Sequence, residues 1–91
     1  MGRKPRPKPE RLGEKLRAIR DALGLSQTGM VRRLGVDGIV ASQISEYETD
    51  KREPSLLTLL EYARLAGVYM DVLVDDRRDL PAKLPAKPKH S

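Results

Sequence analysis

Aliphatic residues recur at spacings of three and four along residues 12–74, and glycines interrupt this pattern at short intervals. Leu12, Leu16, Ile19 and Leu23 fall on one face of a helix, whereas no segment alternates convincingly over the length of a strand. The interrupting glycines are Gly24, Gly35 and Gly67. The chain has no Phe or Trp and only three Tyr, so Leu, Ile, Val, Met and Ala must fill the interior. We therefore predict a small all-α domain with one core.

Five short helices are predicted. The first covers residues 12–23, and the second begins after Ser26, a good N-cap residue, and carries its buried side on Met30, Val31 and Leu34. The third places Ile44 and Tyr47 inward. The fourth begins after Ser55, and residues 68–74 form the fifth. The predicted apolar stripe of the fourth helix is Leu56, Leu59, Leu60 and Ala63.

The connection between the second and third helices has two interpretations. Residues 37–41 either form an extended turn or add nearly one turn to the front of the third helix, with Asp37 as its cap. Gly38 and the β-branched pair Ile39 and Val40 start helices poorly, while Ser42 is a good cap. We favour the extended turn, in which the third helix begins only after residues 37–41.

The basic charge lies at the two ends of the chain. The formal net charge is +5, but residues 1–11 and 75–91 each hold five Lys or Arg, so residues 12–74 carry eight basic and nine acidic residues and a net charge of −1. Prolines alternate with these charges and oppose helix formation. We predict a disordered basic arm over residues 1–10, a folded domain over 11–74 and a disordered Pro/Lys-rich tail over 75–91.

Composition excludes several classes of protein. The absence of cysteine removes thiol catalysis, disulfides and Cys-based zinc sites, and it fits a cytoplasmic protein. The only histidine, His90, is interpreted as a tail residue, and we expect neither a metal nor a cofactor. No apolar run approaches the roughly 20 residues of a membrane span, and no signal peptide is recognisable. Nucleophile, base and orienting group do not cluster, so an enzyme is not expected.

A set of short motifs resembles the lambda-repressor-like, or XRE-type, helix-turn-helix domain. The set comprises Leu-Ser-Gln at residues 25–27, Leu-Gly-Val at 34–36, Ile-Ser-x-x-Glu at 44–48 and Pro-Ser at 54–55 before a Leu-rich helix. The resemblance covers about 63 residues and is specific as a set. It implies a five-helix domain that binds operator DNA as a symmetric dimer, with the third helix in the major groove.

The resemblance also implies roles for individual residues. Ser42, Gln43 and Glu46 match recognition-helix positions that read bases or touch the flanking backbone. The positions matched to phosphate contacts are Gln27 and Thr28 at the start of helix two, Arg32 farther along it, and Lys51 and Arg52 in the loop after helix three. Gln27 also matches a glutamine that braces a recognition-helix side chain. The implied core positions are Ile44, Leu56 and Leu60.

Two residues depart from the family pattern besides the long turn. Gly29 stands where a stronger helix former is usual, at a cost of about 1 kcal/mol, so helix two is expected to fray or start irregularly. Glu46 places an acid on the predicted groove-facing side. It either accepts a hydrogen bond from cytosine N4, or repels DNA and pairs with Arg52.

The remaining candidates lie near the ends of the domain. The arm cations Arg3, Lys4, Arg6 and Lys8, together with Arg11, either wrap the duplex or merely keep the chain soluble. Residues Tyr69, Met70 and Leu73 complete the core, form a homodimer contact, or do both. We predict a transcriptional regulator, a repressor in our preferred reading, whose partner is double-stranded DNA. The rival prediction is an antitoxin-like or adaptor module that binds a protein through its Leu-Pro tail.

Overall fold

The computed structural model describes residues 8–85 and contains five α-helices within them. The all-α prediction is confirmed, because no strand occurs in this part of the chain. Each predicted helix is present. In chain order the helices are α1 (Leu12–Leu23), α2 (Gln27–Leu34), α3 (Ala41–Glu48), α4 (Leu56–Ala66) and α5 (Met70–Val74).

Local capping explains where most of these helices begin and end. The Ser26 hydroxyl accepts a hydrogen bond from the Gly29 amide at 2.9 Å, and the Ser55 hydroxyl accepts one from the Thr58 amide at 3.2 Å. Gly24 ends α1 in the left-handed conformation, with φ of 70°, where other residues are strained. α2 runs unbroken from Gln27 despite Gly29, so the irregular start is not seen.

The connection between α2 and α3 is the extended turn that the sequence favours. α3 begins at Ala41, after Val40 in extended conformation, and Gly38 turns the chain with φ of 84°. The prediction that Ser42 caps α3 is wrong. The Gln43 side chain reaches back instead, and its Oε1 accepts from the Val40 amide at 3.0 Å. Partly buried Val36 and Ile39 pack against the core and hold the turn in place.

Each of the five helices contributes to a single aliphatic core. The predicted buried residues Ile44 and Tyr47 of α3 are confirmed, at 0% and 5% exposed. Leu56 is the clear error, because it is 74% exposed. α4 buries a face rotated away from it, and Leu60 is only half-buried. That face carries Thr58, Leu59, Tyr62, Ala63 and Ala66.

The segment after α5 lies on the folded body as far as it is described. Leu80 and Leu84, expected in a disordered tail, are partly buried against the core. Lys15 of α1 is 2% exposed and donates to the carbonyl oxygens of Val72 at 2.8 Å and Asp75 at 3.0 Å. Burial lowers the pKa of this lysine. The chain therefore packs on the body past residue 74, through two leucines and the contacts of a buried lysine.

Removing the Tyr62 hydroxyl is expected to stabilise the protein. Tyr62 is fully buried, its hydroxyl has no hydrogen-bond partner within residues 8–85, and burial raises its pKa. A buried unsatisfied hydroxyl costs free energy, so Tyr62→Phe should raise the free energy of unfolding by about 1–2 kcal/mol in urea titrations. A loss of stability would instead show that the hydroxyl is hydrogen-bonded in solution.

Candidate nucleic-acid interface

α2 and α3 pack against each other and leave one side of α3 facing outward. Met30 of α2 and Ile44 of α3 are both fully buried and fix the crossing of the two helices. Ser42 is exposed in the first turn of α3, and Gln43, Ser45 and Glu46 are half-buried along it. Small polar side chains therefore occupy the outer surface of the second helix of this pair.

A buried ion pair holds the end of α3 against α1. Arg20 Nε lies 2.6 Å from Glu48 Oε2, and Arg20 Nη2 lies 3.0 Å from Glu48 Oε1. These side chains are only 12% and 4% exposed. The paired carboxylate raises the pKa of Arg20, so the guanidinium stays charged. A two-pronged pair of this kind restricts orientation as well as distance, so it sets the angle of α3.

Gln27 joins this ion pair from the start of α2. Its Nε2 donates to Glu48 Oε1 at 3.4 Å, and Arg20 Nη1 donates to the Leu25 carbonyl oxygen at 3.0 Å. Half-buried Gln27 thus contacts a side chain of α3, as the resemblance implies. The arrangement connects α1, the start of α2 and the end of α3 through polar side chains.

The Gln43 side chain has one end engaged and one end available. Its Oε1 accepts from the Val40 amide, which leaves the Nε2 amide group out of that bond. The amide NH2 group is a donor only. A base edge that keeps this cap intact must therefore offer an acceptor, such as N7 or O6 of guanine or N7 of adenine.

Glu46 is paired with Arg52 in the free protein. Their Oε1 and Nε atoms lie 2.6 Å apart, with side chains 40% and 51% exposed. Hydrogen bonding to Glu46 raises the pKa of Arg52. Arg52 and exposed Lys51 both lie in the loop that follows α3. Of the two interpretations of Glu46, the structure therefore contains the salt bridge, and the carboxylate partly neutralises the loop.

The other predicted phosphate contacts are solvent-accessible. Thr28 is exposed in the first turn of α2, and Arg32 is exposed near its end. Lys8 is exposed ahead of α1 and, with Pro9, lines a shallow cleft shared with Tyr47 and Arg52. The structure thus places the first described cation of the arm beside the loop after α3. The arm residues Arg3, Lys4 and Arg6 lie outside the described residues.

Tyr69, Met70 and Leu73, predicted for the core or a dimer contact, differ in how far they are buried. Leu73 is fully buried in the core, and Met70 is half-buried against it. Tyr69 is 83% exposed at the start of α5. Of the three, Tyr69 alone has most of its surface exposed to solvent, whereas Leu73 is covered within one chain.

Sequence reasoning did not assign roles to Arg20 or Glu48. Glu48 ends the Ile-Ser-x-x-Glu motif, but nothing local marks Arg20, which is 28 positions away, as its partner. A buried arginine next to Ile19 on α1 looks in sequence like any charged helix residue. Within residues 8–85 no group of three or more His, Cys, Asp or Glu residues is placed to hold a metal ion, and no helix is long and apolar enough to cross a membrane.

Comparison with known proteins agrees with this geometry. A family model described as helix-turn-helix matches residues 16–73. The fold is similar to that of the P22 c2 repressor protein, crystallised in complex with synthetic operator 9T in the presence of Tl+, with a TM-score of 0.62 and 28% sequence identity. The match covers 71% of this chain and 94% of that chain. Curated proteins give no significant match.

Proposed function

The chain belongs to the lambda-repressor-like (XRE-type) helix-turn-helix family, and on this basis we propose that it is a DNA-binding transcriptional regulator that reads sequence through α3. The observation that carries the proposal is the outer surface of α3, where Ser42 and Gln43 stand on a helix fixed by the Arg20–Glu48 pair. An α-helix fits the major groove, and side chains of this type match base-edge donors and acceptors. The similar P22 protein, crystallised with an operator, supports this proposal.

Phosphate contacts position the domain in this mechanism. Gln27 and Thr28 lie in the first turn of α2, where backbone amides and the helix dipole favour anions. Lys51 and Arg52 flank the other end of α3, and Arg32 is exposed on α2. These contacts set the register on the duplex, and base contacts then supply specificity.

The arm supplies a further, sequence-independent attraction in this proposal. Residues 12–74 carry a net charge of −1, so the folded part by itself attracts DNA weakly. The arm supplies positive charge, which residues 12–74 do not have in excess, through Arg3, Lys4, Arg6 and Lys8. Contacts between these cations and phosphates release counterions and therefore weaken as salt rises.

Replacing Gln43 tests the base-reading role. Gln43→Ala is expected to weaken binding to DNA selected from a random pool by about 1–3 kcal/mol, and to change binding to unselected DNA little. Gln43→Glu separates the two uses of the side chain, because it keeps an oxygen for the Val40 amide but loses the donor. It should lose affinity at least as much as Gln43→Ala while keeping the melting temperature near the wild-type value. An equal loss of Gln43→Ala on both DNAs would reassign Gln43 to a backbone contact. For Gln43→Glu the difference between the two DNAs is compared, because its added negative charge weakens binding to any DNA.

Neutralising Glu46 is expected to strengthen binding to DNA of any sequence. Glu46→Gln removes a negative charge beside the proposed interface and releases Arg52 from a 2.6 Å ion pair. Exposed pairs contribute little to stability, so the fold should tolerate the change. We expect affinity to rise by up to about tenfold at low salt, as measured by fluorescence anisotropy. A loss confined to selected DNA would instead mean that Glu46 reads a cytosine.

We further propose that the protein acts in the cytoplasm as a repressor. In this proposal it binds an inverted-repeat operator as a homodimer. A symmetric dimer presents two α3 helices to successive major grooves, about one helical turn apart. Exposed Tyr69 is the proposed two-fold contact. Sedimentation of the wild-type chain and of Tyr69→Ala, with and without DNA, tests this contact.

The adaptor function predicted as the rival has less support. Its docking residues would be Leu80 and Leu84, but both pack against the core of the same chain.

A further inference from the structure

The base of the basic arm and the segment after α5 meet at one carboxylate. Asp76 Oδ2 accepts from the Glu10 amide at 2.9 Å, and Asp76 Oδ1 accepts from the Arg11 amide at 3.0 Å. These two residues directly precede α1, and Arg11 makes no side-chain cap of its own. The two backbone hydrogen bonds lower the pKa of Asp76, so it is ionised at neutral pH.

The Arg11 side chain also contacts the segment that contains Asp76. Its Nη1 donates to the Asp76 carbonyl oxygen at 3.0 Å and lies 2.8 Å from Asp79 Oδ1. The last residues of the arm and residues 76–79 are thus joined in both directions. The contacts link positions 65 and 66 apart in the chain.

The segment that supplies Asp76 is itself held at both ends. Before it, buried Lys15 donates hydrogen bonds to the carbonyl oxygens of Val72 and Asp75. After it, Leu80 and Leu84 pack against the core. Pro85 lies beside Gly67, so close that a Cβ added to the glycine would touch the proline ring at 3.4 Å. Asp76 therefore holds the arm from a fixed position. We call residues 75–85 the strap.

The held end of the arm leads toward the loop after α3. Lys8 and Pro9 line one cleft with Arg52 and with the carboxylates Asp50 and Glu53. A chain that leaves α1 in this direction starts beside the loop that carries Lys51 and Arg52. Tethering a charged segment close to its target raises its effective concentration there.

We propose that the strap positions the basic arm, with Asp76 fixing the amides of Glu10 and Arg11 so that the arm cations meet the DNA backbone next to Lys51 and Arg52. The inference rests on the proposed DNA-binding function and adds to it a positioning role for a carboxylate far from α3. It also gives the strap a function besides the packing of Leu80 and Leu84 against the core.

A comparison of three proteins, each with and without residues 1–7, tests this role. The wild type and Asp76→Ala are compared with Asp21→Ala, which removes the same charge from an exposed residue that pairs with Arg17 within α1 and leaves the contacts of the strap intact. Binding to the selected DNA is titrated at several salt concentrations. Removing residues 1–7 is expected to weaken the wild type and Asp21→Ala about tenfold at 0.1 M salt, but Asp76→Ala only about twofold. An equal effect in all three would overturn the positioning role.

A distance measurement without DNA tests the same point directly. The chain has no cysteine, so spin labels can be placed at Lys4→Cys and Arg64→Cys alone. Asp76→Ala should broaden the distance distribution, whereas Asp21→Ala should leave it unchanged, with melting curves confirming that each variant folds. Identical distributions would contradict the proposal. If removing residues 1–7 never alters affinity, the arm and the positioning role both fail, while base reading by Gln43 is tested separately by its own variants.

Discussion

Replacing Glu48 with alanine is expected to lower the free energy of unfolding by about 3–5 kcal/mol, because it leaves the Arg20 guanidinium buried without its partner. A domain of this size has a total stability of about 5–10 kcal/mol, so the variant should be largely destabilised. The loss should also loosen Gln27, whose amide donates to Glu48. Urea titration followed by circular dichroism measures the effect.

Two comparisons isolate the buried pair. Glu61→Ala breaks the Arg64–Glu61 pair, whose side chains are 64% and 32% exposed, and it should cost no more than about 1 kcal/mol. Replacing both Arg20 and Glu48 with methionine should recover most of the stability, because no uncompensated charge remains. A cost below about 1 kcal/mol for Glu48→Ala would show that water reaches Arg20 and that the pair does not fix α3.

Adding a single methyl group at Gly13 is expected to destabilise the protein by about 2 kcal/mol. A Cβ at this position would lie 2.7 Å from Asp50 Oδ1 and 2.8 Å from the Glu48 carbonyl oxygen. The Gly13 amide donates to Asp50 Oδ1 at 3.1 Å, so the start of α1 and the end of α3 touch here. Glu48 O belongs to the backbone, and the two helices must therefore separate. Gly13→Ala is checked by thermal and urea unfolding.

Gly29→Ala is the matched control for this substitution. A Cβ there would lie 3.3 Å from the Ser26 hydroxyl and 3.4 Å from a Leu25 methyl, both side-chain atoms that can adjust. Alanine gains about 1 kcal/mol in helix propensity over glycine, so this variant should be neutral or slightly stabilised. Similar losses for both variants would mean that the close contact at Gly13 is not the cause.

Local signals were sufficient to predict where the helices lie. The hydroxyls of Ser26 and Ser55 and the left-handed glycine Gly24 act within one or two turns, so their effect is readable in the sequence. The extended turn was predictable for the same reason, because Gly38 and its β-branched neighbours disfavour a helix. The cap of α3 was not, since the side-chain oxygens of Gln43 and Ser42 can each accept from a backbone amide at the start of a helix and the choice depends on where the helix begins.

Contacts between residues far apart in the chain could not be predicted from the sequence. Leu56 fits the apolar spacing of α4, but this helix has leucines on several sides, and packing rather than spacing selects the buried face. The pairing of Arg20 with Glu48 and of Asp76 with the base of the arm joins residues far apart in the chain. At the candidate site, the outward polar residues of α3 followed from the family motif, whereas the side chains that hold α3 in place did not.

Selection of bound DNA from a random pool tests the reading role of α3 most directly. The full chain should enrich a defined half-site, repeated in inverted orientation with centres about 10 base pairs apart. Gln43→Glu, selected in parallel, should lose or alter the preference at one position of that half-site while the rest is retained. Recovery of no sequence above the input pool, or the same half-site from Gln43→Glu as from the wild type, would contradict sequence reading by α3.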